Sequence, residues 1–429
     1  MTRFESPVAA TATVAPAALV APRDVRDAVL AAVERRCDDI AGLTARLVRE
    51  ATVVGHEAGG QAVLADRLER AGFAVTRVEP DARLDGARPG GGFAPLPYEG
   101  RSCVVGSVAG TGGGRSLHLS GHIDVVPIEA EHRWTHAPWG GEQANGRIFG
   151  RGAGDMKAGL AAYLVAAETL LERCGPPAGD LIFSSVIEEE TSGNGMRAVL
   201  RHGFDADATL IGEPTGLRLN HGGCGLVFAE VTLEADGGHP AFVDNARLSD
   251  RFATLLSELR VLERELNEHA LARDELSAYP WPCPLNVGRI ASGVWDASVP
   301  AELTCGLRIG FGFGLTPDEV HARVREVVAR AVPGAAIRFH GHRAAPYRHP
   351  IDDALATALA AAHGTVNEFP ALAGIATWTT DARHVARPAL CYGPAAGRLH
   401  AVDEWVDVES MRRTAAVVAA FMLEWSYRH

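Results

Sequence analysis

Residues 157–173 are apolar on nearly every face of the helix that their composition favours. Such a helix cannot rest on a surface with one side in water, so it has to pack inside, against a sheet. Strands flank it in the sequence: 116–120 ahead and 181–187 behind, followed by a helix over 195–201 and another strand over 208–211. Helical spacing over 25–49 and 60–71, with strands over 73–78 and 102–108, extends the same pattern toward the N-terminus. This alternation implies an α/β layer architecture. The apolar part of the central helix, 158–171, falls short of a bilayer span, so no membrane segment is expected.

From about residue 225 the texture changes. Strands over 227–233, 285–290, 303–309 and 336–340 and helices over 247–266 and 317–331 follow the order β-α-β-β-α-β, that of a ferredoxin-like sandwich. From about residue 343 the α/β texture returns, with a helix over 352–362, a strand over 389–392 and a closing helix over 408–425. The middle block is therefore an insertion: 25–223 and 343–429 form one domain, and 224–342 form another inside it. Two domains suit a chain of 429 residues. Residues 1–24, rich in Ala, Val, Thr and Pro, read as a loose tail, because Glu5 and the recurring prolines interrupt any signal-peptide core.

The net charge of −12 argues against nucleic acid and anionic membrane surfaces as partners, since both need a basic face. A small molecule is the expected partner. Seven dispersed cysteines without a CxxC pair imply a reducing, cytoplasmic setting and suggest neither a disulfide framework nor a thiolate zinc site.

Candidate ligands of another kind recur in order. His122 and Asp124, two apart on an extended strand, share a face, so the Asp can hold the imidazole while the imidazole holds a metal. Asp155 stands on a glycine corner where the central helix begins. Glu188-Glu189-Glu190, Gly212-Glu213-Pro214 and a late His400 follow. Nitrogen and oxygen donors in this mix suit zinc, manganese or cobalt. A bridging carboxylate would let them serve two metals, roughly 3.5 to 4 Å apart, which lower the pKa of a shared water. A free carboxylate must then take the proton, and the glutamate run offers one because neighbours on an extended segment face opposite ways. His340 and His342 share a strand face and could also bind metal, although solvated edge residues are the plainer reading.

The motifs Gly121-His122-Ile123-Asp124-Val125-Val126-Pro127, Gly150-Arg151-Gly152-Ala153-Gly154-Asp155-Met156-Lys157, Glu188-Glu189-Glu190-Thr191-Ser192-Gly193, Gly212-Glu213-Pro214-Thr215 and His400-Ala401-Val402-Asp403-Glu404 carry a resemblance. In this order they resemble the dinuclear zinc amidohydrolases that include acetylornithine deacetylase, succinyl-diaminopimelate desuccinylase, the aminoacylases and carboxypeptidase G. The resemblance implies a zinc-exopeptidase-like α/β/α catalytic domain with an inserted ferredoxin-like lid, and a homodimer formed through that lid. It implies two Zn2+, or Co2+ or Mn2+: His122 and Glu213 on one, Glu190 and His400 on the other, Asp155 bridging. Asp124 would orient His122, Glu189 would be the general base, and the Asp155–Met156 peptide would be cis. His239 would reach a partner's active site to stabilise an oxyanion. Here the loop between His239 and Asn245-Ala246 is shorter than in most relatives. Arg308 would grip a substrate carboxylate and Asn286 would add a polar contact; Gly306 replaces an Asp common in relatives.

The implied activity is hydrolysis of the amide of an N-acyl amino acid. Dipeptidase, carboxypeptidase, deformylase or carbamoylase action fits the same site, and a silent binding protein or an amide-forming variant stands further off.

Overall fold

The computed structural model describes residues 8–81, 84, 92–242 and 247–427. A short strand β1 (Ala12–Thr13) precedes helices α1 (Arg23–Glu34), α2 (Cys37–Arg49) and α3 (Ala58–Arg70). Next come β2 (Ala74–Val78), β3 (Cys103–Val108), β4 (Leu117–His122) and a hairpin of β5 (Glu142–Ala144) and β6 (Arg147–Phe149). The central helix α4 (Ala158–Cys174) leads to β7 (Leu181–Val186), α5 (Asn194–Arg201), β8 (Ala208–Ile211) and β9 (Leu219–Gly223). The insertion consists of β10 (Gly225–Glu234), α6 (Leu248–Leu271), β11 (Leu285–Ser292), β12 (Glu302–Phe311), α7 (Pro317–Ala331) and β13 (Ala336–Ala344). The chain returns through β14 (Tyr347–Arg348), α8 (Ala354–Val366), β15 (Leu372–Ala376) and β16 (Ala389–Cys391). It closes with β17 (Ala396–Gly397), β18 (Trp405–Asp407) and α9 (Val408–Trp425).

Helix α4 is buried from Ala158 to Leu170 and packs on β4, with α1, α2 and α9 around it. Its Ala- and Leu-rich sequence favours the helix, and Gly175, at φ +72°, ends it. Its first turn lies against the end of β8, where a Cβ on Gly159 would fall 1.9 Å from the Gly212 carbonyl oxygen. Only glycine permits that approach.

Among the described residues the main sheet has ten strands, in the order β1-β15-β9-β16-β8-β4-β7-β3-β2 with β14 beside β9. Strands β16, β8, β4 and β7 run parallel at its centre. Their carboxyl ends therefore open on one crevice, where α/β sheets place ligands. The inserted sheet is antiparallel in the order β11-β12-β10-β13, the ferredoxin-like arrangement, and its helices cover a second hydrophobic core. The fold is an α/β catalytic unit carrying an α+β lid unit.

Two expectations need correction. Residues 25–49 are two helices, because the chain turns at Arg35 and Arg36. The loose tail expected before residue 25 is packed from Val8 onward: Val8 and Val14 are buried, β1 pairs with β15, and the Ala9 amide donates to Tyr279 Oη at 2.8 Å. Its alternation of small apolar residues suits a sheet edge. Among the described residues no helix is long and apolar enough to cross a membrane.

Candidate dinuclear metal centre

His122 is the last residue of β4, and the glutamate run follows β7 directly. Glu213 follows β8, and Asp155 precedes α4. Three parallel-strand ends and one helix start thus deliver four of these side chains to the same crevice. His400 arrives from the loop between β17 and β18, held at φ +59°.

His122 Nδ1 donates to the carbonyl oxygen of Asp124 at 2.8 Å, and its Nε2 faces Asp155 Oδ1 at 3.1 Å. His400 Nε2 lies 3.4 Å from the other oxygen, Asp155 Oδ2, and 3.0 Å from Glu190 Oε1. Donor atoms of His122, Asp155 and Glu190 all fall within 4.8 Å of one another. Glu213 is buried and lies in the field of His122, Asp155 and Glu190. The Asp155–Met156 peptide is cis.

The Asp124 carboxylate sits 3.8 Å from His122 Nδ1, outside hydrogen-bond range, and accepts the amides of Glu189 and Glu190 at 3.2 and 3.1 Å. The backbone oxygen holds the imidazole, and the carboxylate holds the glutamate turn. This differs from the role expected for that carboxylate, because the turn after β7 brings two unpaired amides nearer to it than the ring.

Glu188 anchors the same turn at φ +63°, with its carbonyl accepting the amides of Ser192 and Gly193. Its buried carboxylate takes 2.6 Å and 2.5 Å bonds from Arg101 and Ser192, and Arg101 also pairs with buried Glu57. Glu404 steadies the opposite wall: it accepts the amides of Gly154 and Asp155 at 3.0 and 3.1 Å while Arg151 pairs with its other oxygen at 2.5 Å.

The electrostatics fit a cationic occupant. Burial pushes the carboxyls of Glu189 and Glu213 well above the usual range and that of Asp124 up to about 7. Glu190 foremost pushes the His400 imidazole up to about 11. Burial opposes charge on His122 too, yet the Asp155 bond and the surrounding acids raise it. The acids draw positive charge to two imidazole nitrogens, and a divalent ion beside each answers the same demand. Glu189 Oε1 is buried without a hydrogen-bond partner among the described residues.

Other expected residues lie apart. His239 is exposed, with Nδ1 3.2 Å from the Ala241 amide and its ring against Phe242, and it does not join the cluster of its own chain. Asn245 and Ala246 lie outside the described residues. Arg308 faces Asn286 across β12 and β11; it is half-buried, in the field of Glu190, while Asn286 is exposed. Sequence reasoning missed Arg383, whose Nη1 is 3.8 Å from Glu189 Oε1. The polar run Thr379-Thr380-Asp381 ahead of a buried apolar strand was its only signal.

Imidazoles and carboxylates at the carboxyl ends of parallel strands, beneath an inserted ferredoxin-like unit, define a two-unit metallohydrolase. The sequence model of peptidase family M20/M25/M40 matches residues 118–424, so the chain belongs to that family. It is 32% identical over 328 residues to a succinyl-diaminopimelate desuccinylase of Rhodospirillum centenum, covering 73% of this chain and 82% of that protein. The fold matches human carnosine dipeptidase 1 with a TM-score of 0.74 at 16% identity, over 93% of this chain and 99% of that one. It also matches a dinuclear metal-binding M20 peptidase of Bacillus subtilis, with a TM-score of 0.56 at 13% identity, over 91% and 99% of the two chains. The chain is thus a metal-dependent hydrolase of amide bonds.

Proposed function

We propose that this enzyme removes the acyl group from a small N-acylated amino acid, with two zinc ions held by His122, Asp155, Glu190, Glu213 and His400. The observation that carries the reading is Asp155, whose two oxygens face two different imidazoles, as a bridging carboxylate must. Bound there, a metal pair would activate a water and polarise the scissile carbonyl. Glu189 takes the proton at Oε1, which no other group occupies, and burial equips that carboxyl to keep it and hand it to the leaving amine. Asp124 fixes the peptide that carries Glu189 and Glu190. Arg308, half-buried in the field of Glu190, would meet a substrate carboxylate. The relative in Rhodospirillum centenum is a succinyl-diaminopimelate desuccinylase, which favours a succinylated or similar acyl amino acid over a dipeptide.

The lid unit supports a homodimer. Its edge strand β11 is open and leads to Ile290, Val294 and Trp295, all exposed apolar side chains. A partner seated there would bring His239 into play as an oxyanion donor. Seven unpaired cysteines support a cytoplasmic location.

The test is amine release by the zinc-loaded protein from N-succinyl-diaminopimelate, N-acetyl and N-formyl amino acids and dipeptides, with Glu189→Gln as control. Release from an acyl amino acid, slowed about 10²- to 10⁴-fold by Glu189→Gln, is expected. Protein that carries two zincs and releases no amine from any of them, or a control as fast as wild type, overturns the reading.

A further inference from the structure

We infer that His342 is a positioning residue that ties the seat of the lid unit to Glu189 through Arg383. The inference rests on Glu189 being the base. Along β13 and β10, Phe228 pairs with His340 and Val227 with Arg343, so Gly341 and His342 are extra residues without partners on β10. Such a bulge bends a strand and re-aims a side chain. Gly341, at φ +60°, makes it possible: an added Cβ would fall 2.6 Å from the Phe228 ring and 2.9 Å from the Thr191 carbonyl oxygen. The bulge is therefore pressed against the glutamate turn itself, and the Phe93 amide secures it by donating to the Gly341 carbonyl at 2.7 Å.

His342 is thrown inward by this kink. Its ring meets Phe228 edge-on at 5.3 Å and is 3% exposed, whereas His340, two residues earlier, is half-buried. The two do not act as a pair. Arg383 Nη2 lies 3.3 Å from His342 Nδ1; a guanidinium only donates, so Nδ1 accepts and the ring is neutral with its proton on Nε2.

Arg383 is nearly buried and held on its other side by Thr380 O at 3.0 Å and Thr379 Oγ1 at 3.4 Å. These acceptors keep the guanidinium 3.8 Å from Glu189 Oε1, close enough to stabilise its charge and too far to occupy its lone pair. Without the His342 acceptor, Nη2 loses its partner and only the Nη1 bonds to Thr380 and Thr379 restrain Arg383 from closing on Glu189 as a direct ion pair, which would engage the base before any proton reaches it. Because β13 is the strand by which the lid unit rejoins the catalytic unit, the position of the lid sets the position of His342.

The experiment compares His342→Ala, His342→Asn and Glu189→Gln on zinc-loaded protein, using the fastest acyl amino acid of the panel above. Asparagine restores an acceptor near the place of Nδ1. For His342→Ala a loss of about tenfold in kcat with KM within about twofold is expected, a fraction of what a general base contributes. His342→Asn should recover most of that loss, and both should bind two zincs and melt near the wild-type temperature. Alanine at the wild-type rate, asparagine as slow as alanine, or a loss confined to KM overturns the inference. If His342→Ala does not fold, His342→Asn decides alone: kcat within about threefold of wild type supports the inference, and a loss of about tenfold overturns it. Glu189→Gln separates the two failures: at the wild-type rate it removes the base assignment and this inference together, whereas a slow Glu189→Gln beside a fast His342→Ala removes this inference alone.

Discussion

Asp155 stands between His122 and His400, and Glu404 holds its amide from behind. Asp155→Asn should lower bound zinc from two per chain to one or none, as measured by elemental analysis after dialysis, because an amide offers one neutral oxygen in place of two charged ones. Arg101 illustrates a different dependence. It neutralises Glu57 and Glu188, both buried, so Arg101→Ala should cost about 3–5 kcal/mol in urea unfolding by leaving those charges without their guanidinium. At this scale the sequence was legible wherever chemistry coincided with a local pattern. His122, Asp155, Glu190, Glu213 and His400 each lie in or beside a glycine-marked turn, and the structure draws them toward one crevice. Arg383 has no such mark, and the inward turn of His342 depends on a bulge formed against a strand more than a hundred residues earlier.

Strand β4 carries His118, Ser120 and His122 on one face, and only the last reaches the crevice. His118 is fully buried and bonds Ser184 Oγ at 2.7 Å, and burial holds its imidazole down at about 4. The unfolded chain binds a proton near pH 6.5 and the native one does not until about pH 4, so the unfolded state holds more protons in that window. Stability therefore falls as pH drops from about 6.5 toward 4, with His118 accounting for about 3 kcal/mol of the loss. Urea midpoints at pH 7 and pH 5 check this: the decline should be smaller in His118→Gln. Elements were legible in proportion to the regularity of their burial. Helix α4 is apolar all round and was evident, and α7 announces itself with Thr316, Pro317 and Glu319, which form its cap. Strand β9 reads Leu-Asn-His-Gly-Gly and is a strand only because β15 and β16 flank it. The break between α1 and α2 falls at two arginines, residues that favour helix, and Arg36 at that break pairs with Glu168 of α4.

The molecule has two hydrophobic cores, and its inserted unit leaves apolar side chains exposed at one sheet edge. Light scattering should give the mass of a dimer, and Trp295→Asp should shift it toward monomer with bound zinc unchanged, because Trp295 is exposed on the lid and far in sequence from every proposed ligand. The insertion was readable since strand and helix order is a property of the chain. The packing of residues 8–14 was not, because it depends on a partner strand at the far end of the sequence.

That last pairing has a consequence for how the protein is made. Thr11 bonds Ala373, 362 positions later, so the first described segment leaves the ribosome well before its partner exists. At about 5–20 residues per second the wait is roughly 20 to 70 s. Throughout that interval Val8 and Val14 are without the cover they have in the folded chain, and the outer strand of the sheet is sealed only after residue 373 has been made.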